Sequence, residues 1–118
     1  TPVNASGSNS YSGDSAADES PSVTTSVNDC LLILTHGHAA IPLTNVVPSG
    51  ATEQWYLTNG GLLSAKGATI GAPSAGATGV KVWDISGFTG NFVLRTVAIA
   101  PPRATSFVAS HQSMSLLK

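Results

Sequence analysis

Charge is scarce in this sequence. Only 9% of its 118 residues are Asp, Glu, Lys or Arg, whereas about 25% is usual in soluble domains. Because charge keeps a monomer soluble, so large a deficit favours secretion or a surface that neighbouring subunits cover. The cations at Lys66, Lys81, Arg95 and Arg103 are scattered along the chain, which gives only a weak footprint for phosphates. Nucleic acid is therefore not an expected partner.

Cysteine and long apolar runs are also scarce. Cys30 is the single cysteine, which excludes an internal disulfide and a zinc site built from several thiolates. Its place before the apolar residues 31–34 predicts a buried thiol. No run approaches the roughly 18 apolar residues of a membrane span, and the first residues lack a basic segment followed by an apolar run. The sequence thus predicts no membrane span and shows no signal peptide.

The few charges are sorted along the chain. The first 30 residues contain four acids and no Lys or Arg, and they are rich in Ser, Thr, Ala, Asn and Gly. Such a segment buries too little apolar area to offset the entropy lost on ordering. We therefore divide the chain into an acidic, Ser-rich N-terminal arm at residues 1–28, disordered or extended, and a single β-domain at residues 29–118. The β-branched run Val23–Val27 is suited to join a sheet edge of its own or a neighbouring subunit.

After Cys30 the pattern is that of an all-β domain. Short runs of Val, Ile, Leu and aromatic residues are separated by turn residues, and no helical stripe extends over eleven residues. About seven short strands predict a small antiparallel β-sandwich or barrel. The predicted strands are Cys30–His36, Ala39–Val47, Gln54–Thr58, Gly61–Ala65, Val80–Ile85, Asn91–Ala100 and Thr105–Ser115.

A hairpin and a long loop are expected between these strands. Asn59-Gly60 predicts a two-residue turn that places Leu57 opposite Leu62 and Tyr56 opposite Leu63. Residues 67–79 consist mainly of Gly, Ala, Ser and Thr around Ile70, which predicts a loop. A loop of this length usually has a function or contacts another molecule.

The motif His36-Gly37-His38 is the best metal or catalytic candidate. Residues i and i+2 of a strand share one face, so both imidazoles could bind one ion. A third ligand is needed, and the candidates are His111, Asp84, Glu53 and Cys30. The favoured interpretation is instead that these are polar residues at a strand end, where Gly37 forms a bulge or turn. We therefore predict no metal site and no cofactor, with His36 and His38 as the weak exception.

Other functional motifs are missing or ambiguous. Residues 71–76 miss the spacing of a Gly-x-Ser-x-Gly nucleophile elbow, and Glu53 and Asp84 are the only acids after residue 30. No catalytic residue is predicted. Trp55, Tyr56 and Trp83 are candidates for stacking on a sugar ring, although tryptophans of so small a domain usually fill its core.

Together these patterns favour a non-enzymatic structural subunit of a large assembly, such as a virus capsid, a capsid decoration or an extracellular filament. The expected location is the virion or the cell exterior, and the expected partners are copies of the chain or a major structural protein of the same assembly. The arm, through Val23, Thr25 and Val27, and the loop at 67–79, through Ile70, would form the contacts between subunits. The alternative is a secreted carbohydrate-binding or cell-wall module with a glycan as its partner. A metal-dependent β-barrel enzyme is a weaker third hypothesis.

Overall fold

Two long antiparallel strands form the centre of the fold. In the computed structural model, which describes residues 2–11, 18–39, 44–60, 62–86 and 91–102, β4 is Cys30–His38 and β10 is Phe92–Ile99. Every second side chain of each strand is buried, because neighbouring residues of a strand point to opposite faces of the sheet. The buried face carries Leu32, Leu34, Leu94 and Ala98. Burying one such leucine stabilises the fold by about 1.5–3 kcal/mol.

A five-stranded antiparallel sheet extends from this pair in the order β1-β10-β4-β7-β6. The outer members are β1 (Val3–Tyr11), β7 (Leu63–Ala72) and β6 (Thr52–Asn59). The edge strand β6 is exposed along its whole length. Across β10, β4 and β7 the described residues cover one face of the sheet and leave the other open, whereas β6 is covered on neither face.

Shorter strands cover the buried face. A three-stranded sheet has the order β2-β9-β5, and β3 pairs with β8. Trp83 of β9 is 1% exposed and belongs to the same apolar core as Leu32, Leu34 and Leu94. The strands of this cover are β2 (Asp18–Ser20), β3 (Thr24–Thr25), β5 (Thr44–Val46), β8 (Gly76–Ala77) and β9 (Lys81–Ser86).

The N-terminal segment, residues 1–28, supplies three of the strands. It pairs with β10 through β1, with β9 through β2 and with β8 through β3. Its described strands are extended and add to sheets of their own chain. Val23 is 6% exposed and Thr25 is 3% exposed, so both are covered by their own subunit.

The all-β class with antiparallel sheets is confirmed, and no helix occurs among the described residues. Accordingly, none of the residues described there forms a helix long and apolar enough to cross a membrane. The strand predicted at Val80–Ile85 is present as β9, and it alternates between core and solvent, because Trp83 is buried while Val82 is exposed. The strand predicted at Thr105–Ser115 lies outside the described residues, as do residues 40–43 of the strand predicted at Ala39–Val47.

The hairpin exists, but its predicted register is wrong. Asn59 pairs with Leu63 and Leu57 pairs with Ala65, so three residues connect the strands. The positive φ of Gly60, 54°, is the feature that the Asn-Gly motif indicated. Asn59 is paired instead of lying in the loop, and the loop has three residues instead of two, so the partner of Leu57 moves by three positions, from Leu62 to Ala65.

The loop predicted at residues 67–79 is wrong in its first half. Residues 67–72 belong to β7, which pairs with β4 on one side and with β6 on the other. A chain rich in Gly and Ala is a poor strand former alone, but here it lies between two strands that provide its hydrogen bonds. Its small side chains also allow close packing, since a Cβ at Gly67 would overlap the Trp55 indole.

Candidate functional site

The two histidines of β4 lie side by side on the buried face of the large sheet. His36 is 1% exposed and His38 is 3% exposed. The residue between them, Gly37, pairs regularly with Val93 and with Ala65. The expected bulge or turn at Gly37 is therefore wrong, and both imidazoles project from a continuous strand into the interior.

Asp18 of β2 completes a cluster with these histidines. Its Oδ2 lies 2.7 Å from His36 Nε2 and 3.3 Å from His38 Nε2, and the two Nε2 atoms are 2.6 Å apart. Pairing of β2 with β9 holds the carboxyl in place, with Asp18 opposite Trp83. The carboxylate oxygen and the two ring nitrogens thus converge from two strands that are distant in the sequence.

Aromatic rings enclose the cluster. The His36 ring stacks on Trp83 with centroids 4.9 Å apart, and the His38 ring stacks on Phe92 at the same separation. The side chains of Asp18, His36 and His38 are fully buried. This is a closed polar site within an apolar core.

Burial shifts the protonation of all three groups toward their neutral forms. It raises the pKa of Asp18 to about 6. It lowers the pKa of His38 to about 4, and together with the charges of His38 and Lys66 it lowers the pKa of His36 to about 3. At pH 7 both imidazoles are therefore neutral, while most of the Asp18 carboxyl is ionised. Neutral imidazole and carboxylate are the forms that bind metal ions.

The third member of the cluster is not one of the candidates that the sequence suggested. Cys30 is buried at the other end of β4, about 20 Å along the strand from His36. Glu53 forms an ion pair with Lys66 at 2.7 Å, and Asp84 is exposed on β9. His111 lies outside the described residues. Asp18 was missed because nothing in its local sequence distinguishes it from the other acids of the first 30 residues.

The open face of the large sheet is a second candidate site, and we call it the outer face. Arg95 is the one charged side chain at its described strand positions. Several large apolar side chains of this face are strongly exposed: Leu31 (45%), Val93 (55%), Trp55 (41%), Leu57 (66%) and Leu63 (55%). The described residues around Leu57, Leu63 and Val93 line a cavity of about 880 Å³.

The four residues predicted to form assembly contacts, Val23, Thr25, Val27 and Ile70, do not lie together on an exposed surface. Val23 and Thr25 are buried, and the Thr25 hydroxyl donates a hydrogen bond to the Gly76 carbonyl at 3.3 Å. Ile70 is partly buried against the core. Of the predicted set, Val27 is strongly exposed, at 40%.

The three aromatic residues do not share a surface. Trp83 is buried, so it is not accessible to a ligand, and its indole N–H donates a hydrogen bond to Ser20 Oγ at 2.8 Å. Trp55 lies on the outer face against Gly67. Tyr56 lies on the opposite side of β6, where the Lys66 ammonium is 4.7 Å from its ring centre. A sugar platform made of all three is therefore excluded.

Comparison with known proteins gives no relative: no family model, no curated protein and no solved structure matches this chain.

Proposed function

We propose that this chain is a non-enzymatic structural subunit that assembles with copies of itself through the outer face. The observation that carries this proposal is the strong exposure of Leu31, Leu57, Leu63 and Val93 on that face. Large apolar patches are rare on soluble monomers and mark surfaces that another molecule covers. A virion or an extracellular filament provides the setting in which so weakly charged a protein is covered by its neighbours.

The distribution of charge supports this choice of surface. Across the outer face, β-sheet pairing aligns Ser10, Val93, Gly37, Ala65 and Leu57 in one row without a charge. Because charged residues are depleted at the centres of protein interfaces, such a row fits the middle of a contact. Small residues between the large ones also leave grooves for the side chains of a partner.

The edge of the sheet supports it as well. Strand β6 pairs with β7 on one side, and all eight of its residues are exposed. Proteins usually protect such edges with charge or proline. Within β6, Glu53 is the one charged residue, and its carboxylate contacts Lys66 of the same subunit. The β6 end of the outer face is therefore where we place the contact.

This proposal changes the surfaces expected from the sequence. The segment Val23–Val27 and residues 67–72 are largely taken up by sheets of their own chain. The contact moves to residues of β6, β7 and β10. In a symmetric dimer the same patch would be used by both subunits.

Two charged substitutions on the outer face test the proposal. We expect Leu57→Lys combined with Val93→Lys to convert an oligomer to a monomer, since these side chains are 66% and 55% exposed and would be buried on assembly. Because both side chains are already partly covered, burying the rest of them contributes roughly 2–4 kcal/mol, which is a factor of about 30 or more in the association constant. The measurement is native mass by sedimentation velocity over a range of protein concentrations.

The matched control is Val82→Lys, at a valine of β9 that is 47% exposed and lies away from the outer face. It should keep the wild-type mass. A wild-type protein that remains monomeric at the highest concentration, or a Leu57→Lys/Val93→Lys variant that assembles as the wild type does, would refute assembly through this face.

A glycan-binding module is the second candidate function, and the geometry of Trp55 favours it. Its ring lies against Gly67 on the outer face and is 41% exposed. An indole held flat on a sheet presents its other side to solvent, where it can pack on a ligand such as a sugar ring. We expect Trp55→Ala to abolish binding on a glycan array if this function is correct, with Tyr56→Ala as control. Absence of wild-type binding to any glycan would exclude it.

A further inference from the structure

The close contacts among Asp18, His36 and His38 cannot all be hydrogen bonds. A ring nitrogen has one proton or one lone pair in the plane of the ring, so it makes one good hydrogen bond. Yet His36 Nε2 has two close neighbours, at 2.7 Å and 2.6 Å. Oδ2 of the ionised Asp18 only accepts, and it also lies 3.3 Å from His38 Nε2. Whichever ring nitrogens carry protons, at least one of the three contacts therefore joins two lone pairs or two hydrogens.

Polar atoms of the same cluster also lack partners. Among the described residues, neither Asp18 Oδ1 nor His36 Nδ1 has a hydrogen-bond partner. Asp18 is 1% exposed. An unsatisfied buried polar group lowers the free energy of unfolding by about 1–3 kcal/mol, and a charged group such as this carboxylate lowers it further. A cation next to this carboxylate would remove that cost, because both of its oxygens can contact one ion.

One metal ion fits the three converging atoms. Atoms separated by 2.6, 2.7 and 3.3 Å lie on a circle of radius about 1.7 Å, so an ion just above their plane is about 2.0 Å from each, the usual length of metal bonds to histidine and carboxylate. Two imidazoles and one carboxylate are ligands for a first-row transition metal rather than for Ca²⁺ or Mg²⁺.

The surroundings indicate the role of the ion. The ligand side chains are fully buried and are enclosed by Trp83 and Phe92. Three protein ligands leave a fourth position of the ion unfilled, as in catalytic sites, but the full burial of the ligands gives a substrate no access to it, and this lack of access is the feature of a structural site. An ion bound here would also connect β2 of the N-terminal segment to β4 of the large sheet.

We propose that Asp18, His36 and His38 bind one structural divalent transition-metal ion, with Zn²⁺ as the ion used to test it, and that this ion attaches β2 to the large sheet. The free energy of binding then adds to the free energy of unfolding, because the unfolded chain does not preform the site. The proposal is independent of self-assembly, since no ligand lies on the outer face.

Metal content and thermal stability test this proposal on the full chain without a histidine tag. After incubation with Zn²⁺ and removal of free ion, we expect about one zinc per chain by elemental analysis. We also expect a melting temperature at least about 5 °C higher than that of chelator-treated protein. Co²⁺ should replace Zn²⁺ and show visible absorption bands typical of ligation by nitrogen and oxygen.

A matched pair of variants identifies the ligand. Asp18→Asn keeps the shape of the side chain but removes its charge, and it should lower bound zinc to near zero and abolish the zinc-dependent rise in melting temperature. Asp84→Asn makes the same change at an exposed position of β9, and it should bind zinc as the wild type does.

Wild-type measurements alone can overturn the proposal, even where a variant fails to fold. If the folded wild-type protein contains no stoichiometric zinc and melts at the same temperature in zinc and in chelator, the cluster is not a metal site. Equal zinc loss in Asp18→Asn and Asp84→Asn would place the binding elsewhere. His38→Gln, checked for folding by circular dichroism, should match Asp18→Asn, and full zinc binding by it would also refute the proposed ligand set.

Discussion

The hydrogen bond between Trp83 and Ser20 provides a direct test of how the N-terminal segment is held. Trp83 is 1% exposed and Ser20 is completely buried, and the indole N–H donates to Ser20 Oγ at 2.8 Å. This bond joins β9 to β2 and lies beside the His36 ring. If residues 18–20 were only loosely attached, the bond would contribute nothing to stability.

The magnitudes follow from burial. Trp83→Phe removes part of a buried ring and leaves Ser20 Oγ without this donor, so we expect a loss of roughly 2–4 kcal/mol of unfolding free energy. Ser20→Ala leaves the buried indole N–H unpaired and should cost about 1–3 kcal/mol. The double variant should lose less than the sum of the two, with a coupling energy of about 1 kcal/mol.

The assay is urea unfolding followed by far-ultraviolet circular dichroism, in one buffer of defined metal content. A double-variant cycle is needed because each single change also alters packing. A coupling energy below about 0.3 kcal/mol would refute the reasoning, since it would mean that the two residues do not interact in the folded state.

Two further pairs of substitutions test the sheet itself. Leu94→Ala, at a side chain with no exposure, should destabilise the protein by about 2–5 kcal/mol. Val93→Ala, at the adjacent exposed residue, should cost about 0.5 kcal/mol or less in the same denaturation assay, run at protein concentrations at which all variants are monomeric. Equal losses would contradict the assignment of the buried and outer faces. Gly67→Ala should displace the Trp55 indole and change its fluorescence, because the new Cβ would overlap the ring. Gly71→Ala is the control. Nothing lies within 4 Å of a Cβ at this position, so the emission should stay unchanged. Unchanged emission in both variants would show that the indole does not lie on Gly67.

Local patterns were reliable wherever a strand alternates between core and solvent. The buried set of β4 and β10 and the burial of Trp83 follow from a period of two residues. Registers were less predictable, as the shift at Leu57 shows. A displaced and longer turn moves every pairing of a hairpin without changing the residue pattern of either strand.

The candidate site could be predicted only in part. The spacing of His36 and His38 correctly indicated a shared face, because side chains i and i+2 of a strand point the same way. Their position in the interior and the partner Asp18 could not be derived. Both depend on β2 packing over the sheet, a contact between segments that no local pattern encodes.

The amino-acid sequence by itself determined the all-β class, the alternation of the main strands, the burial of Cys30 and the position of His36 and His38 on one face of a strand. Those properties depend on neighbours one or two residues apart. Only the tertiary structure decided that residues 3–11 and 18–20 join the sheets and that Asp18 meets the histidines. The reason is that a segment poor in apolar residues gains its hydrogen bonds and its cover from strands more than 60 residues later in the chain, and those interactions exist only after the chain has folded.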